Sequence, residues 1–469
     1  MKTYFLKNRS IILLTLFFAL LRFLISFRFE LGTDEAHYVL YGKHLALSYF
    51  DHPPAVGWVQ YIFLSLSPFP IQVTARIPAI LSSFAGTLLI NEWLRRKDYS
   101  EQSRLAGVFG LNIAILFSAL SFFFLPDTFL FILIPLLSLV IDNLMQKKSL
   151  ANWICFGLVL GLSGLTKYTA VLFLLPIAWY WIKTKSLKDF LTPSFWLAVI
   201  VALIVVSPVL IWNLQNDFIS FKYQTGHVIS FKTMNFITFL GSQASQFVGL
   251  SFLYFYCFPK VKNDRDRFDF LLLLTPLVFF SFFALFENFL PHWTAPFFIL
   301  AVPWGVAENV RRHNGLTKKL KVALASGLLL FTFVHLELAF HFLPFSASRD
   351  LQRDIQGWRE FTQRSLTKSA YPLGVTNWTF GSRVKLYSEL EGRENVIVLD
   401  HRIDQFDIWS AALPPANNIL MLVEQKNETD FLKSVHCDSQ KDLGTDGPRY
   451  KDQTLVDFKL IECTGFSWK

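Results

Sequence analysis

Apolar runs separated by short polar segments fill the first three quarters of the chain. They fall at 10–29, 70–92, 105–125, 128–144, 152–166, 168–183, 194–213, 236–258, 268–286, 292–310 and 322–345. A helix needs ~20 mostly apolar residues to cross a bilayer. The pattern therefore predicts a polytopic α-helical membrane protein with about eleven transmembrane helices over residues 1–345. Lys2, Lys7 and Arg9 precede the first run like the charged start of a signal peptide. That run is too long for a signal peptide and no small-x-small cleavage site follows it, so it reads as a retained helix. Two segments, 30–69 and 214–235, are too long to be simple connectors, and long loops tend to carry function. Beyond Pro344–Ser348 the pattern changes. Asp350–Leu366 reads as an amphipathic helix, and Leu373–Asn377, Val396–Asp400 and Ile419–Val423 read as strands. Residues 346–469 are thus expected to form a soluble α/β domain, long enough to bury a core of its own.

Composition agrees with the pattern. Hydrophobic residues make up 53% of the chain, charged residues 17%, and Phe occurs 51 times. Soluble domains carry roughly 25% charged residues, so a single water-soluble globule is excluded. The net charge of +9 is unevenly spread: residues 1–345 hold 28 Lys/Arg against 17 Asp/Glu, whereas 346–469 hold 16 against 18. Basicity confined to the apolar part points to a membrane and not to nucleic acid. With the N-terminus in the cytoplasm, the cytoplasmic segments carry 21 Lys/Arg and the opposite loops only 5. By the positive-inside rule the N-terminus is cytoplasmic and the C-terminal domain extracytoplasmic. Cys437 and Cys463 then lie in an oxidising compartment and are candidates for a disulfide. Asn377-Trp-Thr379 and Asn427-Glu-Thr429 fit the N-glycosylation pattern, a match short enough to arise by chance.

The candidate chemistry sits on the outer side. The first loop reads LGTDEAHYVLYGKHLALSYFDHPPAVGW. Thr33 is a candidate helix cap, and the pattern from Ala36 to Leu47 is helical. Asp34, Glu35, His37, Tyr38 and Tyr41 then project from neighbouring faces, and Tyr49, Asp51 and His52 follow before Pro53–Pro54. Two acidic centres and two His can supply a general base or a divalent-metal site; the alternative is a solvated interfacial helix with capping acids. Asp127, in SFFFLPDTFLF, is a carboxylate in an apolar stretch, expensive to bury and a functional candidate by default; it also suits an N-cap. Lys167–Tyr168 stand at an outer boundary, where the Lys either snorkels to the interface or holds a lipid phosphate. The loop NLQNDFISFKYQTGH offers Asp217, Lys222, Tyr223, Gln224 and His227, a set suited to a sugar, and His292–Trp293 open the tenth run. Arg22 and Arg76, inside apolar runs, are candidate partners for buried acids. There is no P-loop, no GxGxxG and no zinc-type Cys pair, so no nucleotide cofactor is expected.

This layout resembles the GT-C superfamily of membrane glycosyltransferases, and within it the protein O-mannosyltransferase and lipid A aminoarabinose transferase group (glycosyltransferase families 39 and 83). TDEAHY is similar to the group's D-E-A-x-Y motif, YFDHPP to Y-[YF]-[DE]-[HK]-P-P, LPDTFLF to P-D-x-x-L and GLTKYTAV to K-Y-T. PVLIWNLQNDFISFKYQ resembles P-x-x-x-W-N before a long loop, and RIDQFDIW a signature of a bacterial member's extracytoplasmic domain. The resemblance implies Asp34 as catalytic base with Glu35 beside it, and Asp127 as a second acid orienting the acceptor. It implies a divalent-metal site at Asp51, with His227 as a further ligand. His37, Tyr38, Tyr49, His52, Lys167, Tyr168, Lys222 and Gln224 would meet the donor phosphate or substrate. His52 stands where the aminoarabinose branch has a Lys, and His37 where it has an Arg, which favours a sibling with another sugar or acceptor. The partners implied are a polyprenyl-phosphate-linked sugar, membrane lipids, and a lipid A, glycan or protein acceptor at a bacterial inner membrane. The rival from another class is a transporter or flippase of a lipid-linked sugar. Such proteins place ionisable groups near the midplane, often within inverted repeats, whereas here the acids cluster at one face and no repeat is present.

Overall fold

The computed structural model describes residues 8–225, 236–241, 261–286, 290–410 and 417–468. Every apolar run within them is helical. Four helices, Ile71–Arg96, Pro126–Gln146, Pro193–Gln215 and Lys318–Phe340, are long and apolar enough to cross a membrane. Their outward faces explain the composition: large apolar side chains such as Leu203, Ile204 and Leu329 are more than half exposed, as they must be to meet lipid. The run at 105–125 departs from expectation. It forms two helices, Glu101–Asn112 and Ile115–Leu120, because the chain turns extended at Ala114. Most of the run at 236–258 lies outside the described residues.

The chain divides into two compact units. The first comprises Met1–Leu24, Ala46–Val56 and Arg76–His335; the second comprises Ile25–Leu45, Gly57–Ala75 and Leu336–Lys469.

Within the first unit, helix Leu150–Thr166 packs along Pro193–Gln215. Gly157 and Gly161 let the backbones meet: a Cβ at Gly157 would run into the Ala198 carbonyl, and one at Gly161 would lie 2.6 Å from Val205 Cβ. This is small-xxx-small packing, which drives association where lipid removes the hydrophobic advantage. At one end of four helices lies a buried ionic cluster. Lys97 bridges Asp266 (2.6 Å) and Asp269 (2.8 Å) beneath the Trp93 and Trp304 rings. Arg96 and Arg265 share Asp142, and Glu308 takes Tyr99, Arg311 and Arg312. Several of the basic residues that set the orientation on the sequence thus also lock helices to one another. Among the described residues Arg22 meets an amide and not an acid: both its Nη atoms donate to Asn112 Oδ1 (3.2 Å), with Phe18 and Phe117 beside its guanidinium. Arg76 lies over the Phe122 ring at 4.4 Å.

The second unit is built on a five-stranded sheet. Its order is Val396–Val398, Leu373–Val375, Asn418–Glu424, Phe458–Thr464 and Ser439–Asp446, with the first three parallel and the last two pairings antiparallel. Asn418–Glu424 carries a continuous apolar run because both its faces are covered. Leu420 and Leu422 face a core of Trp358, Phe361, Phe380 and Phe458, while Ile419, Met421 and Val423 face Leu399 and Ile461. A disulfide joins Cys437 to Cys463. The helix expected over Asp350–Leu366 is interrupted. It forms as Gln352–Ile355 and Trp358–Lys368, separated by Gly357 at φ +75°. A side chain at Gly357 would collide with the Arg449 backbone, so the strand pair Arg449–Tyr450 and Gln453–Thr454 sets the break. Helix Trp378–Leu390 begins at Asn377, whose side chain accepts from Phe380 N (3.1 Å) and from Thr379 Oγ1 (2.5 Å). The Asn-Trp-Thr tripeptide is therefore a helix cap.

Candidate active site

The chemistry-bearing residues fall into two groups, one in each unit. In the first unit, Pro126 opens a tight helical turn whose N-cap is Leu125, and Thr128 Oγ1 reaches back to accept from Leu125 N (3.1 Å). This contact leaves the Asp127 carboxylate for other partners. Lys167 Nζ meets Asp127 Oδ1 at 2.5 Å, and His292 Nε2 lies 3.9 Å from Oδ2. Lys167 occupies an extended residue (φ −154°, ψ 135°) between helix Leu150–Thr166 and the turn Tyr168–Phe173. That conformation sends its side chain inward, and the residue is only 7% exposed. The lysine is therefore not snorkelling but buried against an acid.

His52 borders the same group. Its Nε2 lies 3.8 Å from Asp51 Oδ2, and it interacts electrostatically with Lys167 and Asp127. Burial lowers its pKa below the ordinary histidine value and the nearby Lys167 charge adds to that, against opposing pulls from Asp51 and Asp127. A neutral imidazole at pH 7 follows. The turn carrying these residues is fixed from several sides. Tyr49 N donates to His52 O (3.1 Å), and Tyr49 OH accepts from Ala46 N (3.3 Å). Ser220 Oγ donates to Tyr49 O (2.9 Å), Gln224 Nε2 donates to Asp51 O (2.9 Å), and Tyr223 lies against Phe50. Ser48 Oγ and Tyr168 OH lie 3.5 Å apart. The short helix Ile219–Thr225 therefore sits on the Ser48–His52 turn, with Lys222 exposed. His227 lies outside the described residues. Among those described, no three His, Cys, Asp or Glu side chains converge as a metal cage; Asp51 and His52 make only a pair.

In the second unit, Asp34 and Glu35 occupy the first turn of helix Thr33–Lys43. The helix starts one residue earlier than a Thr33 cap would require: Gly32 is the N-cap, and its N–H donates to Glu35 Oε2 (3.2 Å). Glu35 is buried, Asp34 half-buried. A first-turn carboxylate is favoured as an anion by the helix dipole. His37 hydrogen-bonds through Nδ1 to Ser382 Oγ and through Nε2 to Tyr41 OH, both at 3.1 Å, amid Trp378, Phe406 and Trp409. Tyr38 is buried beside it.

Residues 51–212 match the dolichyl-phosphate-mannose-protein mannosyltransferase family. The lipid A galacturonosyltransferase RgtD of Rhizobium johnstonii is 31% identical over 189 residues, 39% of this chain and 38% of that protein. The match thus spans less than two-fifths of that relative's length. Among solved structures, ArnT from Cupriavidus metallidurans in the apo state superposes with TM-score 0.64 at 13% identity, and the same protein bound to undecaprenyl phosphate with TM-score 0.62 at 14%. Both alignments cover 96% of this chain and 97% of ArnT. The mycobacterial arabinofuranosyltransferase AftD gives TM-score 0.52 at 12% identity, over 96% of this chain and 40% of AftD. The chain shares its fold with ArnT.

Two side chains stand out that the motifs alone did not rank. His292 opens an apolar run, where a lone His reads as interfacial; only the fold brings it to Asp127. Arg383, in the second unit, is buried with its guanidinium 3.7 Å from the Trp358 ring centroid. No local signal marks it, because it follows an ordinary helical pattern.

Proposed function

We propose that the protein is an inverting glycosyltransferase that moves a sugar from a polyprenyl-phosphate donor to a hydroxyl or phosphate of a lipid A, glycan or protein acceptor. The observation that carries this reading is the buried Lys167–Asp127 pair with His292 and His52 around it. A fixed ammonium in a water-poor pocket is suited to the charge that develops on a departing lipid phosphate. Its paired carboxylate keeps the lysine from being an uncompensated buried charge before substrate arrives. The named activities of the matched family and of RgtD, and the fold shared with ArnT, support the same class.

In this mechanism the acceptor oxygen attacks the anomeric carbon as its proton passes to the Asp34 carboxylate. The bond from that carbon to the phosphate oxygen breaks, and the electron pair leaves with the polyprenyl phosphate. One displacement inverts the anomeric configuration. Lys167 stabilises the leaving anion, with His292 and the neutral His52 as hydrogen-bond donors. The reaction is assigned to the extracytoplasmic face of a bacterial inner membrane, with the N-terminus in the cytoplasm, residues 1–345 as catalytic membrane domain and 346–469 as soluble domain. A divalent metal at Asp51 and His227 would add charge compensation, and the sequence above needs none.

The test is transfer in proteoliposomes from a panel of undecaprenyl-phosphate sugars, with and without chelator. General-base help is typically worth ~10²–10⁴ in rate, so Asp34→Asn is expected to lower transfer by that factor in a folded protein. Full activity in the mutant would remove Asp34 as base. Lipid flipping without sugar transfer would replace the enzyme by a flippase.

A further inference from the structure

The helix bearing Asp34 is held at three points along its length by one other helix, Trp378–Leu390, and its neighbours. At its start, Asp354 accepts from Thr33 Oγ1 (2.7 Å) and from Thr33 N (3.2 Å). Arg383 Nη1 in turn donates to Asp354 Oδ1 (2.6 Å) and to the Asp354 carbonyl (3.0 Å), while Nη2 donates to the Thr379 carbonyl (3.3 Å). In the middle, His37 meets Ser382. At the end, Glu389 takes Lys43 (2.7 Å), His44 (2.8 Å) and Lys385 (3.3 Å). The strand of chain leading into the helix is pinned as well: Leu31 N donates to Tyr387 OH (3.2 Å), and Glu30 Oε2 accepts from Trp358 N (2.7 Å).

We propose that Arg383 and Asp354 form a clamp that positions the Asp34 carboxylate, making the C-terminal region the seat of the base. The argument is geometric. Thr33 precedes Asp34 directly, so an anchor on its N–H and hydroxyl holds the start of the helical turn that presents the base. Arg383 is 3% exposed, and its guanidinium is immobilised on the Trp358 ring. The positive charge it carries interacts favourably with Asp34 as well as with Asp354. A buried arginine whose plane is fixed by an aromatic face and whose donors reach one carboxylate is a rigid reference point, which a lysine cannot reproduce. A side chain at Gly32 would lie 2.6 Å from Asp354 Oδ2, so the approach of the clamp to the helix start has no slack. The proposal rests on Asp34 being the base, and its test separates the two.

The full chain is compared in proteoliposomes as wild type, Asp354→Asn, Thr33→Ala, Arg383→Lys, Arg383→Gln and Asp34→Asn, with undecaprenyl-phosphate galacturonic acid and lipid A as probe substrates. In parallel, hydrogen exchange is followed at the Asp34–Val39 amides in detergent, a readout that needs no substrate. Hydrogen bonds to a charged group are worth a factor of about 10–100. Asp354→Asn and Arg383→Gln are expected to lower kcat by about that factor with KM for the donor unchanged, and to speed exchange of those amides similarly. Their combination should be no worse than either alone, and Arg383→Lys should recover only part of the loss. Asp354 is half-exposed, so its variant folds even if Arg383→Gln does not. Unchanged amide exchange in Asp354→Asn overturns the clamp whatever the donor proves to be. So does wild-type kcat in Asp354→Asn and Arg383→Gln where Asp34→Asn abolishes transfer. Full activity in Asp34→Asn refutes instead the assignment of the base.

Discussion

Replacing Lys167 by methionine tests whether the buried ion pair is the anion-holding element. Lys167 and Asp127 are almost wholly removed from solvent and meet at 2.5 Å. Methionine conserves the length of the side chain and removes only its charge and donors. Asp127 is then left buried without the ammonium, beside the His292 imidazole at 3.9 Å. Breaking a buried pair from one side typically destabilises by about 3–5 kcal/mol, because the surviving charge is uncompensated. A loss of that size shifts the unfolding midpoint of a chain this long by ~3–5 °C. Asp127→Asn leaves an ammonium stranded and should fall in the same range. The double variant, Lys167→Met with Asp127→Asn, has no stranded charge and should recover most of the stability, a coupling of about 3 kcal/mol. Sugar transfer should not recover with it, since the cation that meets the phosphate is gone. The assays are tryptophan-monitored unfolding in detergent and transfer in proteoliposomes on the same preparations. Wild-type stability in Lys167→Met would refute the burial of the pair, and wild-type transfer in the double variant would refute its role.

Other outcomes follow from the second unit and the helix packing. Burial opposes ionisation of Glu389, but hydrogen bonds from His44 and Lys43 outweigh it and bring its pKa down to about 2. Its contribution, about 3 kcal/mol, is present above the unfolded-state value near 4.5 and is lost as pH falls toward 2. The unfolding midpoint should therefore drop across that window, and Glu389→Gln should flatten the dependence. Closing the 26-residue interval between Cys437 and Cys463 is worth about 2–4 kcal/mol; reduction should lower the unfolding midpoint, and Cys437→Ser should show the same midpoint with and without reductant. Gly157→Leu has no room against the Ala198 carbonyl and should cut the yield of folded protein, whereas Leu158→Ala, on an exposed face, should leave it unchanged.

The helical membrane architecture was legible because lipid enforces it: a helix in hydrocarbon must be apolar over its whole length, and that is visible in any window. The strand Ile419–Val423 was legible for a similar reason, as a short apolar run covered on both faces. Helix Trp378–Leu390 was not, because its polar side chains Ser382, Arg383, Lys385 and Ser388 are buried on other parts of the second unit. An amphipathic pattern disappears when both faces of a helix are covered. The break at Gly357 depends on a strand pair nearly a hundred residues away. At the site, Asp127 was a candidate because a carboxylate is expensive in an apolar stretch, whereas Asp34 was a candidate for its place beside Glu35 after the first apolar run and its likeness to the D-E-A-x-Y motif. The identity of their partners was not readable. Asp127 is 40 residues from Lys167 and 165 from His292, and nothing in the sequence marks the joining of Thr33 to Asp354 and Arg383.

The second unit draws on Ile25–Leu45, Gly57–Ala75 and Leu336–Lys469, and this dictates an order of events during synthesis. Thr33 leaves the ribosome 350 residues ahead of Arg383. At 5–20 residues per second the gap is roughly 20–70 s. For most of it the helix that bears Asp34 exists without Asp354, Ser382 or Glu389, and Glu30, His37 and Lys43 have not yet met their ties in the C-terminal region. The early helices are therefore made long before that helix can be anchored. A chain that stops after the first unit and before Asp354 would hold every residue of that unit, with the helix that bears Asp34 left without its anchors. The newest residues of the chain thus act as the licence for the oldest.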